Sequence, residues 1–267
     1  MMSQTASIPS NGRTASGRVE ITNVSVSYRT RGDKAVALAT TDLLLAPGTF
    51  TALIGPSGCG KSTLLNTVAG FVPATTGGVA VDGRQVEGPH PSVGVTFQSF
   101  ALFPWFTALG NVEFPLKRFA YGRQERRERA LEALAEVGLA EHAGKYPGEL
   151  SGGMKQRVAI ARTFASNPDV LLMDEPFGAL DAQTRLRMQE LLMDVWSRHR
   201  KTVLFVTHDV DEALRLADLV CVMTPGPGRI AERIAVDLPR PRGIDRMSPE
   251  FLDYRSRLLA LLQHDEP

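Results

Sequence analysis

Residues 55–62 carry the chemistry that the rest of the sequence must position. They read Gly-Pro-Ser-Gly-Cys-Gly-Lys-Ser, which fits the phosphate-binding pattern G-x-x-x-x-G-K-[ST]. Glycines let the backbone turn tightly, and successive N–H groups then point into one concavity. In this pattern Lys61 is expected to reach the β- and γ-phosphates of a nucleotide, and the Ser62 hydroxyl is expected to bind Mg²⁺.

The flanks of this phosphate loop predict the secondary structure that the pattern requires. Residues 50–54 are apolar enough for a buried strand, and residues 63–69 predict the first turns of a helix. A helix N-terminus beside the loop adds partial positive charge that favours bound phosphate. A glycine-rich turn that precedes Lys-Ser by chance would lack this context.

A second pair of candidate residues follows the apolar run 170–173, which predicts a central parallel strand. Asp174 and Glu175 stand at its carboxyl end, where ligands bind in open α/β sheets. Asp174 suits Mg²⁺, and Glu175 can orient an attacking water or accept its proton. An isolated Asp-Glu pair is usually a surface feature, so the functional interpretation depends on the strand before it.

Composition limits the alternatives. The chain has 267 residues, 43% of them hydrophobic, and a formal net charge of +1, so charge gives no indication of nucleic acid or anionic lipid as a partner. No apolar run approaches the length that crosses a bilayer. Residues 1–17 lack the apolar segment of a secretory signal and are predicted to form a flexible tail. Cys59 and Cys221 have no metal-ligand spacing, which favours a reducing compartment.

The remaining patterns predict the elements around these motifs. Alternation over residues 19–28 indicates a half-buried strand that ends in Tyr28, and residues 35–38 and 41–45 predict two further strands. From residue 98 to 166 the pattern becomes helical, which predicts a helical insertion in an α/β core.

Together these features resemble the nucleotide-binding subunit of an ATP-binding-cassette (ABC) transporter. The most specific motif is Leu-Ser-Gly-Gly at 150–153, which matches that family's own signature. Gln98 resembles the Q-loop, residues 179–181 the D-loop and His208 the switch histidine. All occur in family order, and the resemblance covers about residues 19–236.

The resemblance implies the fold and the cofactors. We expect an α/β protein with a phosphate-loop (P-loop NTPase) core of ABC type, an antiparallel β-subdomain and an inserted helical subdomain. The predicted ATPase domain is 18–238, with the helical subdomain at about 98–166 and a C-terminal helical extension at 239–267. The predicted cofactors are ATP and Mg²⁺.

The resemblance also implies roles for individual residues. The predicted catalytic residues are Glu175, His208, Lys61 and Gln98, and the predicted metal ligands are Ser62, Gln98 and Asp174. The predicted ATP-binding residues are Tyr28, Gly55, Pro56, Ser57, Gly58, Cys59, Gly60, Lys61, Ser62, Thr63, Gln98, Ser151, Gly152, Gly153, Asp181 and His208. Tyr28 is expected to stack on adenine, its alternative role being to fill the core, and Cys59 is expected to be accessible to alkylation.

The partners follow from the same resemblance. Two chains are expected to pair head to tail, with each ATP between the phosphate loop of one chain and residues 151–153 of the other. Transmembrane permease subunits and, indirectly, an extracytoplasmic substrate-binding protein are predicted partners, and nucleic acid is not. The predicted location is the cytoplasmic face of the inner membrane. The aromatic run 100–106 is either subdomain core or the edge of a docking groove for a membrane subunit, or both.

Finer features resemble the nitrate, sulfonate and taurine importer branch. They are Leu-Phe-Pro-Trp at 102–105, Met154 after the two glycines and Pro-Gly-Pro-Gly-Arg-Ile at 225–230. The predicted function is ATP hydrolysis that energises import of a small anion such as taurine, an alkanesulfonate or nitrate. Import of a pyrimidine precursor or an aromatic acid is an alternative, and a soluble cassette protein acting on ribosomes or DNA is another. The sequence does not name the substrate, because nothing in an ATPase subunit contacts it.

Overall fold

A computed structural model of the chain describes residues 16–30, 33–242 and 248–263. The predicted tail, 1–17, lies outside these ranges except for its last two residues. Both of these bind the folded chain: the Gly17 N–H donates to the Asp82 carboxylate at 2.9 Å, and the Ser16 hydroxyl donates to Asp169 at 2.7 Å.

The strands and helices alternate along much of the chain. The strands are β1 (Val19–Thr30), β2 (Asp33–Leu45), β3 (Phe50–Ile54), β4 (Thr76–Val81), β5 (Arg84–Gln85), β6 (Val93–Thr96), β7 (Val170–Asp174), β8 (Thr202–Val206), β9 (Leu219–Met223) and β10 (Ile230–Ala235). The helices are α1 (Lys61–Val68), α2 (Ala108–Glu113), α3 (Arg123–Glu136), α4 (Gly152–Ala165), α5 (Ala182–His199), α6 (Val210–Leu216) and α7 (Pro249–Gln263).

A six-stranded sheet in the order β10-β9-β3-β8-β7-β6 forms the centre of the molecule. Its strands pair in parallel except β10, which is antiparallel at one edge. Every residue of β3 and β8 is buried, because α5, α6 and neighbouring helices cover one face of the sheet, while α1 and a second, antiparallel sheet cover the other. Burial on both faces explains their uninterrupted apolar sequences. The predicted α/β class is confirmed.

The second sheet, β2-β1-β4-β5, is antiparallel and corrects one prediction. The segments 35–38 and 41–45 belong to one strand, β2, and not to two. Between the pairs Val24↔Thr41 and Val26↔Leu38, β1 advances by two residues and β2 by three. The extra residue is a β-bulge, which shifts the phase of the alternation and makes one strand resemble two in the sequence.

The segment between β6 and β7 contains α2, α3 and α4, which pack on one another. Asn111 is fully buried there, and its side-chain amide accepts a hydrogen bond from the Phe103 N–H and donates to the carbonyls of Phe103, Phe106 and Thr107. Asn111 thus holds the backbone of residues 103–107 together. The division into a helical subdomain at 98–166 remains a prediction.

Trp196 of α5 lies in the same hydrophobic core as the buried side chains of α2, α3 and α4, 1% exposed and edge-on to Phe50 at a ring-centroid distance of 5.8 Å. The guanidinium carbons of Arg200 and Arg240 lie 4.7 and 4.6 Å from its ring centroid. Such cation–π contacts stabilise the packing where the rings are shielded from water.

In the described ranges, no helix combines the length and apolarity needed to span a membrane.

The Pro-Gly-Pro-Gly turn after β9 packs directly on the phosphate loop. A Cβ atom on Gly228 would lie 1.6 Å from the carbonyl oxygen of Cys59. The Gly228 carbonyl in turn accepts a hydrogen bond from the Ala39 N–H of β2 at 2.9 Å. Gly228 therefore joins the loop to the antiparallel sheet through contacts that no side chain could permit.

We predict that Gly228→Ala lowers both stability and nucleotide affinity, because the added methyl group forces the loop away from the turn. The expected loss of stability is about 1–3 kcal/mol, measured by thermal unfolding, with a nucleotide titration on the same protein. Gly144→Ala is the matched control, since a Cβ there meets nothing within 4 Å. Equal behaviour of the two variants would contradict the prediction.

Candidate functional site

The carboxyl ends of β3, β7 and β8 bring the two sequence motifs together. Ser62, at the start of α1, donates a hydrogen bond to Asp174 Oδ1 at 3.0 Å. The Glu175 N–H donates to the Val206 carbonyl at 3.0 Å, and Glu175 Oε2 lies 3.1 Å from His208 Nδ1. Residues more than 140 positions apart in the chain therefore form one cluster at the edge of the parallel sheet, where such folds bind ligands.

Lys61 is held by the loop that carries it. Its side chain is nearly buried, and Nζ donates to the carbonyl oxygens of Gly55 at 2.7 Å and Pro56 at 2.8 Å. Gly60 precedes it in the left-handed region, with φ of 97°, a conformation that favours glycine. The lysine is thus fixed beside the N-terminus of α1, where both its charge and the helix dipole attract phosphate.

Ser62 and Asp174 have the donor types and spacing that Mg²⁺ requires. Neighbouring oxygen ligands of an octahedral ion bound at about 2.1 Å lie about 3.0 Å apart, which matches the Ser62–Asp174 distance of 3.0 Å. Burial raises the pKa of the Asp174 carboxyl, and the Ser62 hydroxyl opposes that shift. Among the described residues no group of three His, Cys, Asp or Glu could hold a metal.

Glu175 combines a strained backbone with a partly shielded carboxylate. Its φ is 41°, in the left-handed region that residues other than glycine seldom adopt. Its side chain is 23% exposed, and the side chain of His208 is 65% exposed. Strained residues of this kind persist where the surrounding structure holds them, and they are frequent in active sites.

The expectation that Cys59 is accessible is wrong. Its side chain is 1% exposed and packs in the core between the two sheets, with Sγ 3.8 Å from Lys61 Nζ. Burial raises the pKa of the thiol, and the Lys61 charge opposes that shift. A shielded, protonated thiol reacts slowly with alkylating reagents. The sequence shows that Cys59 is in the loop, but not that its side chain points inward.

The signature segment 150–153 starts α4. Ser151 is the exposed N-cap, and its hydroxyl accepts a hydrogen bond from the Met154 N–H at 3.3 Å. A Cβ on Gly153 would lie 2.8 Å from the Thr184 methyl group, and one on Gly152 would lie 3.7 Å from Leu180. Gly153 therefore lets α4 pack closely against the start of α5. Asp181 caps α5 by accepting a hydrogen bond from the Thr184 N–H at 2.9 Å.

The other predicted site residues differ in their exposure. The exposed ones are Tyr28, Ser57, Gly58, Ser62, Gln98, Ser151, Gly152, Asp181 and His208, while Pro56, Gly60, Thr63 and Gly153 are partly buried and Gly55 is buried. Tyr28 pairs with Ala35 on β2, and it is 43% exposed and therefore not a core side chain. Among the described residues, no hydrogen bond joins the side chains of Gln98, Ser151 or Asp181 to the phosphate loop, and their roles remain predictions.

The sequence did not indicate three residues that support the site. Gly228 supports the phosphate loop, Asp209 caps α6 directly after His208 with its carboxylate 3.1 Å from the Glu212 N–H, and Arg185 donates to the Leu180 carbonyl at 3.0 Å. The Ser/Asp capping preference could have identified Asp209. The other two depend on contacts between distant segments that no local pattern shows.

Comparison with known proteins identifies the family. The sequence profile of the ABC transporter family matches residues 38–178, more than half of the chain. The chain belongs to the ABC transporter family. The taurine import ATP-binding protein TauB of Rhizobium johnstonii is 50% identical over 224 residues, which cover 81% of this chain and 85% of that protein. The bicarbonate transport ATP-binding protein CmpD of Synechocystis is 47% identical over 244 residues, which cover 90% and 86%.

A solved structure agrees with this assignment. The dimeric, post-hydrolysis state of the ATP-binding cassette MJ0796, bound to ADP and phosphate, matches with a TM-score of 0.73 and 35% identity. The match covers 83% of this chain and all of that chain. The resemblance, the fold class and the ATPase activity predicted from the sequence are thereby confirmed: this ABC protein binds and hydrolyses ATP.

We predict that Glu175→Gln lowers ATP turnover by about a hundredfold or more, because an amide cannot accept a proton from water. ATP binding should persist, since the side chain keeps its size, and an ATP-bound dimer should accumulate. Size-exclusion chromatography with ATP and a phosphate-release assay would measure both effects.

The matched control for that dimer is Glu175→Gln combined with Ser151→Arg. The arginine adds bulk at the α4 N-terminus, where the ATP of a second chain is expected to bind, so the double variant should stay monomeric. A Glu175→Gln protein that binds ATP but remains monomeric, or that hydrolyses ATP at the wild-type rate, would refute the predicted role of Glu175 and the shared site.

Proposed function

We propose that this ABC ATPase is the energising subunit of an importer for a small anion such as taurine, an alkanesulfonate or nitrate. The observation that carries the proposal is the identity of about one half to import and transport ATPases named for taurine and bicarbonate, over more than four fifths of each chain. Equally similar relatives have names that give no substrate. The substrate class therefore requires a direct test.

In this proposal the clustered side chains divide the chemistry of hydrolysis. Lys61 binds the β- and γ-phosphates, Ser62 and Asp174 hold Mg²⁺, and the metal supplies charge neutralisation at the phosphates. Glu175 accepts a proton from the attacking water, and His208, within hydrogen-bond distance of Glu175, holds the γ-phosphate side of the site. Gln98 joins the metal site, and Tyr28 offers an exposed ring for stacking on adenine.

A second copy of the chain completes the site. The exposed N-terminus of α4, with Ser151, Gly152 and Gly153, presents backbone N–H groups suited to phosphate. The MJ0796 cassette, which is similar over its whole length, forms a dimer in its solved structure. We propose that two copies of this chain also form a dimer, paired head to tail, with Asp181 beside the shared ATP. We also propose the 18–238 domain bounds and attachment to the inner face of the membrane through permease subunits.

The aromatic residues after β6 support docking of a permease. Phe103 and Phe106 are partly buried, whereas Trp105 is 67% exposed and Phe114 43% exposed. Next to them lies an apolar cavity of about 380 Å³, which Phe97, Phe103 and Phe114 help to line. Exposed aromatic surface of this kind is typical of protein contacts. The run therefore serves as subdomain packing, and we propose that its exposed part binds the membrane subunit.

We predict that Trp105→Ser weakens assembly with the permease at least tenfold, because a central aromatic anchor can contribute about 2 kcal/mol or more to an interface. ATP turnover of the isolated chain should not change. Co-purification with the membrane subunits and phosphate release would be measured together, with Tyr146→Ser as the control for loss of an exposed aromatic ring elsewhere. Unchanged assembly would show that Trp105 is not part of the docking surface.

The substrate class is tested with the extracytoplasmic binding protein that docks on the assembled transporter. Its thermal stability would be measured with taurine, an alkanesulfonate, nitrate, bicarbonate, a pyrimidine precursor and an aromatic acid. Stabilisation by one of the small anions, and ATP turnover of the reconstituted complex that rises with the same ligand, is the expected result. Stabilisation only by the pyrimidine precursor or aromatic acid would overturn the substrate proposal, and absence of any permease partner would favour a non-transport ATPase.

A further inference from the structure

His208 depends on its backbone for its position. Its side chain is 65% exposed, and Glu175 is its hydrogen-bond partner at 3.1 Å. The residues on either side are held tightly: the buried Thr207 donates its N–H to the Leu53 carbonyl at 3.2 Å, and its hydroxyl accepts the Asp209 N–H at 3.0 Å. Whatever holds Asp209 therefore sets where His208 points.

Helix α5 supplies that support from two positions one turn apart. Arg185 Nη1 lies 3.9 Å from Asp209 Oδ2, and its Nη2 donates to the Leu180 carbonyl at 3.0 Å. Gln189 donates to Glu212 Oε1 at 2.8 Å, in a contact buried from solvent. The same helix thus contacts the segment that follows Glu175 and the segment that follows His208.

The side chains of Arg185 and Gln189 also contain buried polar atoms that lack a hydrogen-bond partner. Arg185 Nε and Gln189 Oε1 are both buried without a hydrogen-bond partner among the described residues. Glu212 is 5% exposed, burial raises the pKa of its carboxyl, and hydrogen bonds from Thr207 and Gln189 oppose that shift. A buried polar group that lacks a partner costs stability, so these side chains are not explained by packing alone.

We propose that Arg185 is a positioning residue for ATP hydrolysis: its guanidinium joins the Leu180 carbonyl to Asp209 and so keeps His208 within reach of Glu175. The planar guanidinium presents donors on two nitrogens in a fixed geometry, one toward the Leu180 carbonyl and one toward Asp209. Because Glu175 has a strained backbone with φ of 41°, the pair needs support from outside its own loops. The inference rests on the proposed roles of Glu175 and His208.

The test is a double-mutant cycle in the full-length chain, with kcat and KM for ATP measured for Arg185→Met, His208→Ala and the combination. Arg185→Met should lower kcat about tenfold, since small displacements of catalytic groups have effects of this order or larger, and KM should change by less than about twofold. In the His208→Ala background the same change should lower kcat by less than about twofold, because residues that act through each other are not additive.

Controls separate positioning from a general loss of structure. Arg187→Met removes an exposed arginine from the same helix and should leave kcat and thermal stability unchanged. If Arg185→Met does not fold, Asp209→Asn replaces it, because asparagine still caps α6 but carries no charge for Arg185. It should lower kcat in the same direction.

Each outcome decides the proposal. An equal loss from Arg185→Met with and without His208 shows that Arg185 acts on structure in general, and an unchanged kcat shows that it does not position the site. If His208→Ala alone keeps the wild-type kcat, the proposed role of His208 fails, and with it any action of Arg185 through His208. None of these results depends on which substrate the transporter carries.

Discussion

The phosphate loop is held by backbone groups that approach it too closely for any side chain to fit between. A Cβ on Gly60 would lie 2.7 Å from the Ala37 carbonyl oxygen, and one on Gly55 would lie 2.8 Å from that of Met223. With Gly228 against Cys59, three remote segments, from β2, β9 and the turn after β9, fix the shape of the loop. Because that shape is fixed, the Lys61 ammonium and the α1 N-terminus face one small volume.

The order of the strands in the parallel sheet brings Asp174, Glu175 and His208 to the same edge. Strands β7 and β8 end side by side, so the residues that follow them meet, and the Glu175 N–H bonds the last residue of β8. The antiparallel sheet contacts the phosphate loop through β2, and it also carries the exposed Tyr28. The proposed catalytic cluster is therefore a product of strand order, while the proposed adenine side depends on how the two sheets meet.

Much of this could be predicted from the sequence, because the informative motifs are local. The phosphate loop, the strand end at Asp174 and the signature at residues 150–153 each follow from a short pattern. The contacts of Gly228 and Arg185 could not be predicted, since they join segments far apart in the chain. The direction of Cys59 and the continuity of β2 were misjudged for a related reason: loop torsions and β-bulges change which way a side chain points without changing the local composition.

The exposures of Trp105 and Trp196 have an optical consequence, because the chain has only these two tryptophans. Trp105 is two-thirds exposed on the aromatic surface, while Trp196 is buried between two arginines and Phe50. A soluble quencher such as iodide should reach the first indole and not the second. The intrinsic fluorescence of the unmodified protein therefore has a component that reports on the outer surface of the helical region and another that reports on the integrity of the core.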